Sequence, residues 1–336
     1  MKIAVLAPVA WRTPPRKYGP WEQVASNIAE GLAGKGLDVT LFATKDSQTN
    51  ARLDYICQKG YEEDSEADPK VNECLHISHM MEKAHEFDII HNHFDFHPLT
   101  YSRLIKTPMV TTIHGFSSKK ILPVYQKYNN HTNHYISISY ADRNPGLKYL
   151  ANVYNGVKAR DFTFRKESGD YLLYFSRIHH DKGTYEAIRI AQKAKRPLLI
   201  SGYIQDKDYY REKVEPFLDG ENVKYVGNSG PQERNSLLGR ACALLHPINF
   251  DEPFGLSVAE SMFCGTPVIA FNRGAMPELI EHGKTGFLVK DVHEATRAVA
   301  DIGNIRREHC HRHAVSKFSQ EKMVDAYVDV YKSVIE

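Results

Sequence analysis

Two glutamates, Glu252 and Glu260, stand eight positions apart in the segment EPFGLSVAE, which follows an apolar run and leads into helix-compatible sequence. We expect a strand, a loop and a helix, with Glu252 in the loop and Glu260 on the first turns of the helix. The backbone N–H groups of Gly255, Leu256 and Ser257 would then lie at the helix N-terminus, which suits a phosphate or a sugar hydroxyl. Two carboxylates flanking such a site fit a phosphate that carries a polyol on each side, as a nucleotide sugar does.

Two cations follow a similar pattern earlier in the chain. Arg177 and Lys182 lie in the segment SRIHHDKG, between the apolar run 171–175 and a second helical stretch, with Gly183 at the turn. Arginine offers a forked pair of donors and lysine a mobile point charge, so the segment is predicted to form the second half of a diphosphate clamp. Taken singly, each carboxylate could be a solvated residue of an amphipathic helix and each cation a surface charge. The occurrence of both segments at strand ends favours a binding site.

The composition sets limits on the class of protein. A chain of 336 residues with 42% apolar and 25% charged residues fits two globular domains. The 43 basic and 41 acidic residues nearly cancel, which argues against a nucleic-acid partner. No apolar run approaches the roughly 20 residues that span a bilayer, and MKIAVLAPVA is predicted to be a core strand rather than a signal peptide. Five irregularly spaced cysteines indicate reduced thiols and a cytoplasmic protein.

Predicted strands and helices alternate throughout the chain, which is typical of parallel α/β layers. The first helix is indicated by apolar residues at three- and four-residue steps, from Trp21 through Val24 and Ile28 to Leu32. The polar stretch 158–170 predicts a linker, and the acidic stretch 62–68 a solvated loop. The predicted strands of the two series are 2–6, 39–43, 88–91, 109–113, 135–138 and 152–154, and then 171–175, 198–201, 223–226, 243–245, 268–271 and 287–289.

The ordered motifs of the chain resemble family 4 of the retaining glycosyltransferases, which have the GT-B fold. They run from YGPWEQVASNIAEGLAGKGLDVTLFA through FDIIHNHFD, TTIHG, YNGV, SRIHHDKG and EPFGLSVAESMFCGTPVIA to GAMPELIEHGKTGFLV and FSQEKMVDAYVDVYKSV. The subgroup that opens with a Pro-Pro, Tyr-Gly and Glu loop is the most similar, with Pro14, Pro15, Tyr18, Gly19 and Glu22 at these places.

This resemblance implies an α/β fold of two Rossmann-like domains whose parallel sheets face a central cleft. It implies an acceptor-side domain over residues 1–158 and a nucleotide-sugar-binding domain over 159–317. A C-terminal helix, within 318–336, is expected to cross back to the first domain.

The resemblance also implies roles on the donor side. Arg177 and Lys182 would hold the donor diphosphate and stabilise the leaving nucleoside diphosphate, where developing charge favours fixed cations. Glu260 would accept hydrogen bonds from the ribose hydroxyls, and Glu252 would sit beside the donor sugar. Backbone groups would complete the donor site, around the base as well as the sugar and diphosphate, at Gly19, Gly202, Tyr203, Gly227, Phe254, Gly255, Leu256 and Ser257.

On the acceptor side, His114 directly follows a predicted strand and would face the reacting sugar. A strand-end position likewise makes His91 and His93 acceptor-side lining. The resemblance adds Tyr18 and Glu22 to the acceptor side. The two histidines at 91 and 93 could also be taken for a metal pair, but two histidines without nearby Asp, Glu or Cys are weak evidence for zinc. We therefore predict no metal site, and the other histidine pair, at positions 179 and 180, receives no role.

Two departures from the family pattern fall on the acceptor side. Pro20 stands where a second glycine is usual, and proline removes an N–H and stiffens the loop. Gly115 stands where an acid often follows the histidine. Both changes put acceptor chemistry in question more than donor binding.

The function predicted is that of a metal-independent retaining hexosyltransferase that uses a nucleoside diphosphate sugar, with UDP favoured, and a hydroxyl acceptor. The acceptor could be a sugar, a lipid-linked sugar or a small molecule, and no other cofactor is expected. The alternatives are a disaccharide phosphorylase, a nucleotide-sugar epimerase, or a non-catalytic nucleotide-sugar binding module. The mixed basic and aromatic stretch 116–128 is predicted to be an exposed loop and helix, with contact to an acidic acceptor or a lipid surface as the other interpretation.

Overall fold

A computed structural model describes residues 1–116, 118–130 and 132–336, apart from the side chain of Lys119. The chain divides into two compact units. The first comprises Met1–Gly156 together with Gln320–Glu336, and the second comprises Val157–Ser319.

The first unit is built on a parallel sheet of seven strands in the order β3-β2-β1-β4-β5-β6-β7. Its strands are β1 (Lys2–Leu6), β2 (Asp38–Phe42), β3 (Arg52–Asp54), β4 (Ile89–Asn92), β5 (Met109–Ile113), β6 (Asn133–Ser137) and β7 (Tyr149–Asn152). Its α-helices are α1 (Pro20–Gly34), α2 (Pro69–Glu82), α3 (Leu122–Tyr128) and, from the C-terminal end of the chain, α11 (Gln320–Ile335).

The second unit is built on a parallel sheet of six strands in the order β10-β9-β8-β11-β12-β13. Its strands are β8 (Leu172–Phe175), β9 (Leu198–Ser201), β10 (Val223–Tyr225), β11 (Ala243–His246), β12 (Val268–Phe271) and β13 (Gly286–Val289). Its α-helices are α4 (Thr184–Ala194), α5 (Lys207–Lys213), α6 (Pro231–Arg240), α7 (Leu256–Phe263), α8 (Met276–Leu279), α9 (Val292–Asp301) and α10 (Arg307–Phe318).

Helix α1 shows how the sequence pattern becomes packing. It begins with Pro20, whose fixed φ and missing N–H suit the first helical position. Val24, Ile28 and Leu32 are buried along one face, as the apolar spacing predicts. At Gly31 a Cβ atom would lie only 2.4 Å from Val324 of α11, so this close approach of the two helices requires glycine.

The α/β fold and its parallel sheets are confirmed, but the predicted strand 152–154 is displaced, because β7 spans Tyr149–Asn152. Three further local interpretations are wrong or incomplete. Strand β3 and helix α2, which lie in the polar region between β2 and β4, are not among the predicted elements. The aromatic residues of the stretch 116–128 are not a surface face, because Tyr125 is fully buried and Tyr128 nearly so. In that stretch Ser117 and the side chain of Lys119 lie outside the described residues.

Within the described parts of the chain, no helix combines the length and the apolar character that crossing a bilayer demands. All five cysteines are free thiols, and four of them, Cys57, Cys242, Cys264 and Cys310, are buried.

Candidate active site

In the second unit, the loop that follows β8 contacts the loop that follows β11. Gly183 has a φ of 71°, and a Cβ atom there would lie 1.8 Å from the carbonyl oxygen of Pro247, so only glycine permits this approach. The backbone N–H of Asn249 also donates to the carbonyl of Asp181, with a distance of 2.7 Å. The segments that carry the two predicted cations and the first predicted carboxylate are thereby held together.

Lys182 and Glu252 form a direct ion pair in this place. The Lys182 Nζ atom lies 2.6 Å from Glu252 Oε2, and each side chain is only 11% exposed. The His246 Nε2 atom lies 3.5 Å from the same carboxylate oxygen. Burial alone would raise the pKa of Glu252, but the charge of Lys182 and the contact with His246 outweigh it and lower the pKa to about 2. The carboxylate is therefore ionised and positioned against a cation at neutral pH.

The segment that follows β12 also restrains the main chain at Glu252. Ala275 donates its N–H to the carbonyl of Glu252 with a distance of 2.9 Å. Gly274 has a φ of 52°, and a Cβ atom there would meet the Glu252 nitrogen at 2.3 Å. Because Gly274 and Ala275 both contact the backbone of Glu252, its carboxylate is preorganised rather than held on a free loop.

Helix α7 begins beside Glu252, as predicted. Gly255 is its N-cap residue with a φ of 99°, and its carbonyl accepts the N–H of Val258. Within the described residues, the N–H groups of Gly255, Leu256 and Ser257 have no protein acceptor. Phe254 packs its side chain inside the unit, with its ring centroid 5.8 Å from that of Phe318. The helix N-terminus thus offers donors and partial positive charge beside the ion pair.

Glu260 lies on α7 and is buried, with a side chain that is 7% exposed. Its Oε1 atom lies 3.2 Å from Arg234 Nη1 of α6. Burial raises the pKa of Glu260 above its ordinary value, although the charge of Arg234 opposes the rise. The structure therefore gives this glutamate a cationic partner of its own, separate from the pair at Glu252.

Arg177 and the predicted base-binding residues lie at the carboxyl ends of neighbouring strands. Arg177 donates to Gln205 and lies 4.0 Å from Asp181, and its side chain is 21% exposed. The N–H of Gly202 donates to the carbonyl of Gly227, which joins the ends of β9 and β10. Tyr203 follows directly, and its carbonyl accepts the N–H of Ile178. Arg177 is thus placed on the same loop as Lys182, without a direct contact to a glutamate of the motif.

In the first unit, His114 follows β5 and is joined to His93. The His114 Nε2 and His93 Nδ1 atoms are 2.9 Å apart, and the ring of Trp21 stacks on His114 at 5.6 Å between centroids. Burial lowers the pKa of His114 to about 3 and holds the pKa of His93 well below its usual range. Both imidazoles are therefore neutral at physiological pH.

The placement of His91 does not fit its predicted position on the acceptor side. Its ring has no exposed area, and both nitrogens bond within the unit, Nδ1 to the Tyr331 hydroxyl at 2.6 Å and Nε2 to the Thr112 hydroxyl at 2.8 Å. Such a side chain cannot contact an acceptor, because helix α11, which carries Tyr331, covers it. Its neighbour His93 is equally buried, so of the three histidines only His114 has measurable exposure.

The remaining predicted site residues of the first unit, donor-side Gly19 and acceptor-side Tyr18 and Glu22, surround the start of α1. Gly19 has a φ of 148° and precedes the helix, and a Cβ atom there would meet Pro15 at 2.8 Å and Glu22 Oε2 at 3.0 Å. Glu22 is buried, and its Oε1 atom accepts the N–H of Trp11 at 3.3 Å. Burial raises the pKa of Glu22 to about 7, although the backbone hydrogen bonds oppose it. Tyr18 is half-buried with its ring edge-on to Trp11.

Sequence reasoning missed two charged or titratable residues that contact the glutamates. His246 ends β11, so its position at a strand end was a usable signal. Arg234 lies within the predicted second domain, but nothing in the local pattern indicates that it reaches Glu260. The pairing of an α6 residue with an α7 residue depends on how the helices pack.

Comparison with known proteins assigns the family. The model described as Glycosyltransferase Family 4 matches residues 21–157, and that described as Glycosyl transferases group 1 matches residues 158–322. Together the two models cover nearly the whole chain. The chain therefore belongs to this glycosyltransferase family, has the two-domain GT-B fold, and acts in glycosyl transfer from a nucleotide sugar.

Three relatives illustrate the similarity. Glycogen synthase of Mycobacterium tuberculosis is 26% identical over 283 residues, which cover 73% of this chain and 68% of the relative. N-acetyl-alpha-D-glucosaminyl L-malate synthase of Bacillus anthracis is 34% identical over 213 residues, covering 56% of this chain and 55% of the relative. The crystal structure of Anabaena HepE in complex with UDP-glucose has a TM-score of 0.77 and 20% identity, with 99% of this chain and 100% of that chain covered.

Proposed function

We propose that the protein is a retaining, metal-independent hexosyltransferase that moves a hexose from a UDP-sugar to a hydroxyl acceptor. The buried Lys182–Glu252 ion pair beside the N-terminus of α7 is the observation that carries this proposal. The site combines a cation for a phosphate, a carboxylate for sugar hydroxyls and free backbone donors. UDP is favoured because the similar Anabaena structure is a complex with UDP-glucose.

In this proposal Lys182 and Arg177 bind the diphosphate and stabilise the charge that develops on it as the glycosidic bond breaks. Fixed cations in a partly buried site stabilise such charge without reorganising, which is why they accelerate the reaction. They take the place that a metal ion has in other nucleotide-sugar enzymes, and this supports metal independence. Glu252 keeps Lys182 in position and offers its other oxygen to the sugar hydroxyls.

Glu260 binds the ribose hydroxyls, as the family resemblance implies. Its Oε1 atom is directed to Arg234, which leaves Oε2 to accept from a ligand. The donor base would lie near Gly202, Tyr203 and Gly227, where the ends of β9 and β10 present backbone groups.

Retention follows from same-face attack of the acceptor as the diphosphate leaves, with a phosphate oxygen taking the acceptor proton. Support comes from the neutral state of His114, whose pKa of about 3 makes it a weak base. We propose that His114 donates or accepts a hydrogen bond beside the reacting sugar rather than removing the proton. Glu22 and Tyr18 remain proposed as acceptor-side residues.

The free thiols support a cytoplasmic location, and the acceptor class remains a hydroxyl of a sugar, a lipid-linked sugar or a small molecule. The burial of Tyr125 and Tyr128 argues against a peripheral membrane contact through 116–128.

Mass spectrometry after incubation with a panel of nucleotide sugars and hydroxyl acceptors tests the function. We expect a transferred hexose with unchanged anomeric configuration and release of the nucleoside diphosphate. A phosphorylase would instead require inorganic phosphate and no nucleotide, and an epimerase would convert the donor without acceptor. A binding module would show a ligand-dependent rise in melting temperature with no turnover.

A further inference from the structure

A cluster of possible metal ligands lies on the second unit, next to but separate from the residues assigned to the donor. His179, His180 and Asp206 each offer one ligand atom, and these atoms all lie within 4.8 Å of one another. It is the one group of three or more such residues with this geometry in the part of the chain that the structure describes. The proposed transfer reaction uses none of the three side chains.

Backbone hydrogen bonds join the two segments of this cluster, the loop after β8 and the loop before α5. Ile178 and Ile204 form a parallel bridge, and the N–H of Asp206 donates to the carbonyl of Ile178 with a distance of 3.1 Å. Asp206 caps helix α5 through Oδ1, which accepts the N–H of Tyr209 at 2.9 Å. Its Oδ2 atom is thereby left on the side of His180.

The distances within the cluster suit a small ion. His180 Nδ1 and Asp206 Oδ2 are 3.3 Å apart, which is about the edge of a tetrahedron with metal–ligand bonds of ~2.0–2.1 Å. The ring of His179 lies against that of His180 with centroids 4.1 Å apart, and a ring nitrogen of His179 lies within 4.8 Å of the ligand atoms of His180 and Asp206. The side chain of His180 is 64% exposed, which gives an ion an entry path and leaves room for a water ligand.

We propose that His179, His180 and Asp206 bind a divalent transition-metal ion of the zinc or nickel class, with water completing the coordination. Two imidazoles and one carboxylate select such ions over Mg²⁺ and Ca²⁺, which prefer all-oxygen sites. Asp181 supports the ligands from outside, because its carboxylate lies 3.0 Å from His180 Nε2 and 3.2 Å from His179 Nδ1.

The ion would link the loop after β8 to the start of α5. Arg177 and Lys182 lie on that same loop but are not ligands, and the proposed transfer gives the ion no role. This inference does not depend on the proposed function, because it concerns binding by residues outside the donor machinery.

The test uses the full chain, stripped with a chelator and exchanged into chelator-free buffer. Titration with Co²⁺ is followed by its visible absorption, and Zn²⁺ binding is measured by calorimetry. We expect one saturable site, with His180→Ala and Asp206→Asn each weakening Zn²⁺ binding by about tenfold or more. The asparagine variant keeps an oxygen for the α5 cap, so its fold is expected to survive.

His85→Ala is the matched control, because His85 is an exposed histidine of the first unit, outside the cluster. It should bind Zn²⁺ as the unaltered protein does, and Mg²⁺ should not compete. The proposal is overturned if the unaltered protein shows no saturable binding. It is equally overturned if the His180 and Asp206 variants, folded by circular dichroism, bind as tightly as the His85 control.

Discussion

The two units of the chain place different kinds of chemistry at the carboxyl ends of their sheets. In the second unit the site residues are charged and paired, Lys182 with Glu252 and Arg234 with Glu260. In the first unit the central residues are His93 and His114, which burial keeps neutral and which bond to each other. One unit presents fixed charges, and the other presents imidazoles without charge.

This difference fits a division of labour in glycosyl transfer. The donor carries a diphosphate on which negative charge grows during the reaction, so fixed cations are useful beside it. A hydroxyl acceptor has no charge in its ground state, so uncharged side chains are sufficient to bind it by hydrogen bonds. If this comparison is right, removing a charge in the second unit should slow turnover. Removing a neutral histidine of the first unit should change how the stability of the protein depends on pH.

The largest effect is expected for Lys182→Ala. The variant loses a cation that stabilises the leaving diphosphate and also leaves the buried Glu252 without its partner. We expect turnover to fall by on the order of 10²-fold or more. Lys193→Ala, an exposed lysine on α4, is the control and should keep normal turnover. Near-normal turnover in a folded Lys182 variant would remove the cation from the proposed mechanism.

Arg177→Ala should also lower turnover by on the order of 10²-fold, because its side chain shares the loop with Lys182. Arg177 has no partner among the two motif glutamates, so its loss should disturb the protein structure less. The variant should therefore combine slow turnover with a nearly unchanged melting temperature. Slow turnover accompanied by a large drop in melting temperature would indicate a structural role instead.

Acid stability probes the neutral histidines of the first unit. The pKa of His114 is about 3 in the folded chain and near 6.5 when unfolded, so between these values the unfolded state binds the extra proton. Its contribution to stability is complete above pH 6.5 and is lost as the pH falls towards 3, by up to about 1.4 kcal/mol per pH unit. The corresponding window for Glu252 lies lower, from 4.5 to about 2.

His114→Phe should therefore flatten the dependence of the unfolding free energy on pH between 6.5 and 4.5 by about one proton. Chemical denaturation at several pH values measures this slope. His85→Phe, at an exposed site, should leave the slope unchanged. Equal slopes for the unaltered protein and the His114 variant would show that the histidine titrates normally in the folded protein.

The strands and the two motif loops could be predicted because each has a local signal. A buried parallel strand is an apolar run, as in β12, and the N-terminus of α7 is indicated by Gly255 before a helical stretch. Strand β3 was missed because it has three residues, none of them buried. Helix α2 was missed because its residues are largely polar and its single strong signal, the capping Asp68 before Pro69, lies in an acidic run.

The candidate site was harder to predict where it depends on contacts between distant elements. The ion pair between Lys182 and Glu252 joins residues seventy positions apart in the chain, and the burial of His91 depends on Tyr331 of the last helix. A strand-end position is shared by His114, which keeps a small exposed area, and by His91 and His93, which are fully covered. The sequence distinguishes these cases only when the covering helix is known.

The smallest effect is expected from removing metal ions. Turnover should stay largely intact in the presence of excess chelator, because Arg177 and Lys182 supply the positive charge at the diphosphate. The proposed zinc-class site at His179, His180 and Asp206 does not alter this expectation. A chelator titration that abolishes turnover, with recovery on adding metal, would contradict it.

The central claim is that the two glutamates of the second unit serve different parts of one donor, and paired titrations test it most directly. Glu260→Gln should weaken binding of free UDP, because a neutral amide accepts ribose hydrogen bonds less strongly than a carboxylate. Glu252→Gln keeps an amide oxygen that can accept from Lys182, so it should leave UDP affinity nearly unchanged. It should reduce transfer of the sugar, as expected of a group at the reacting centre. Isothermal titration with UDP beside turnover with the sugar donor measures both effects. Equal losses of UDP affinity in the two variants would contradict the assignment.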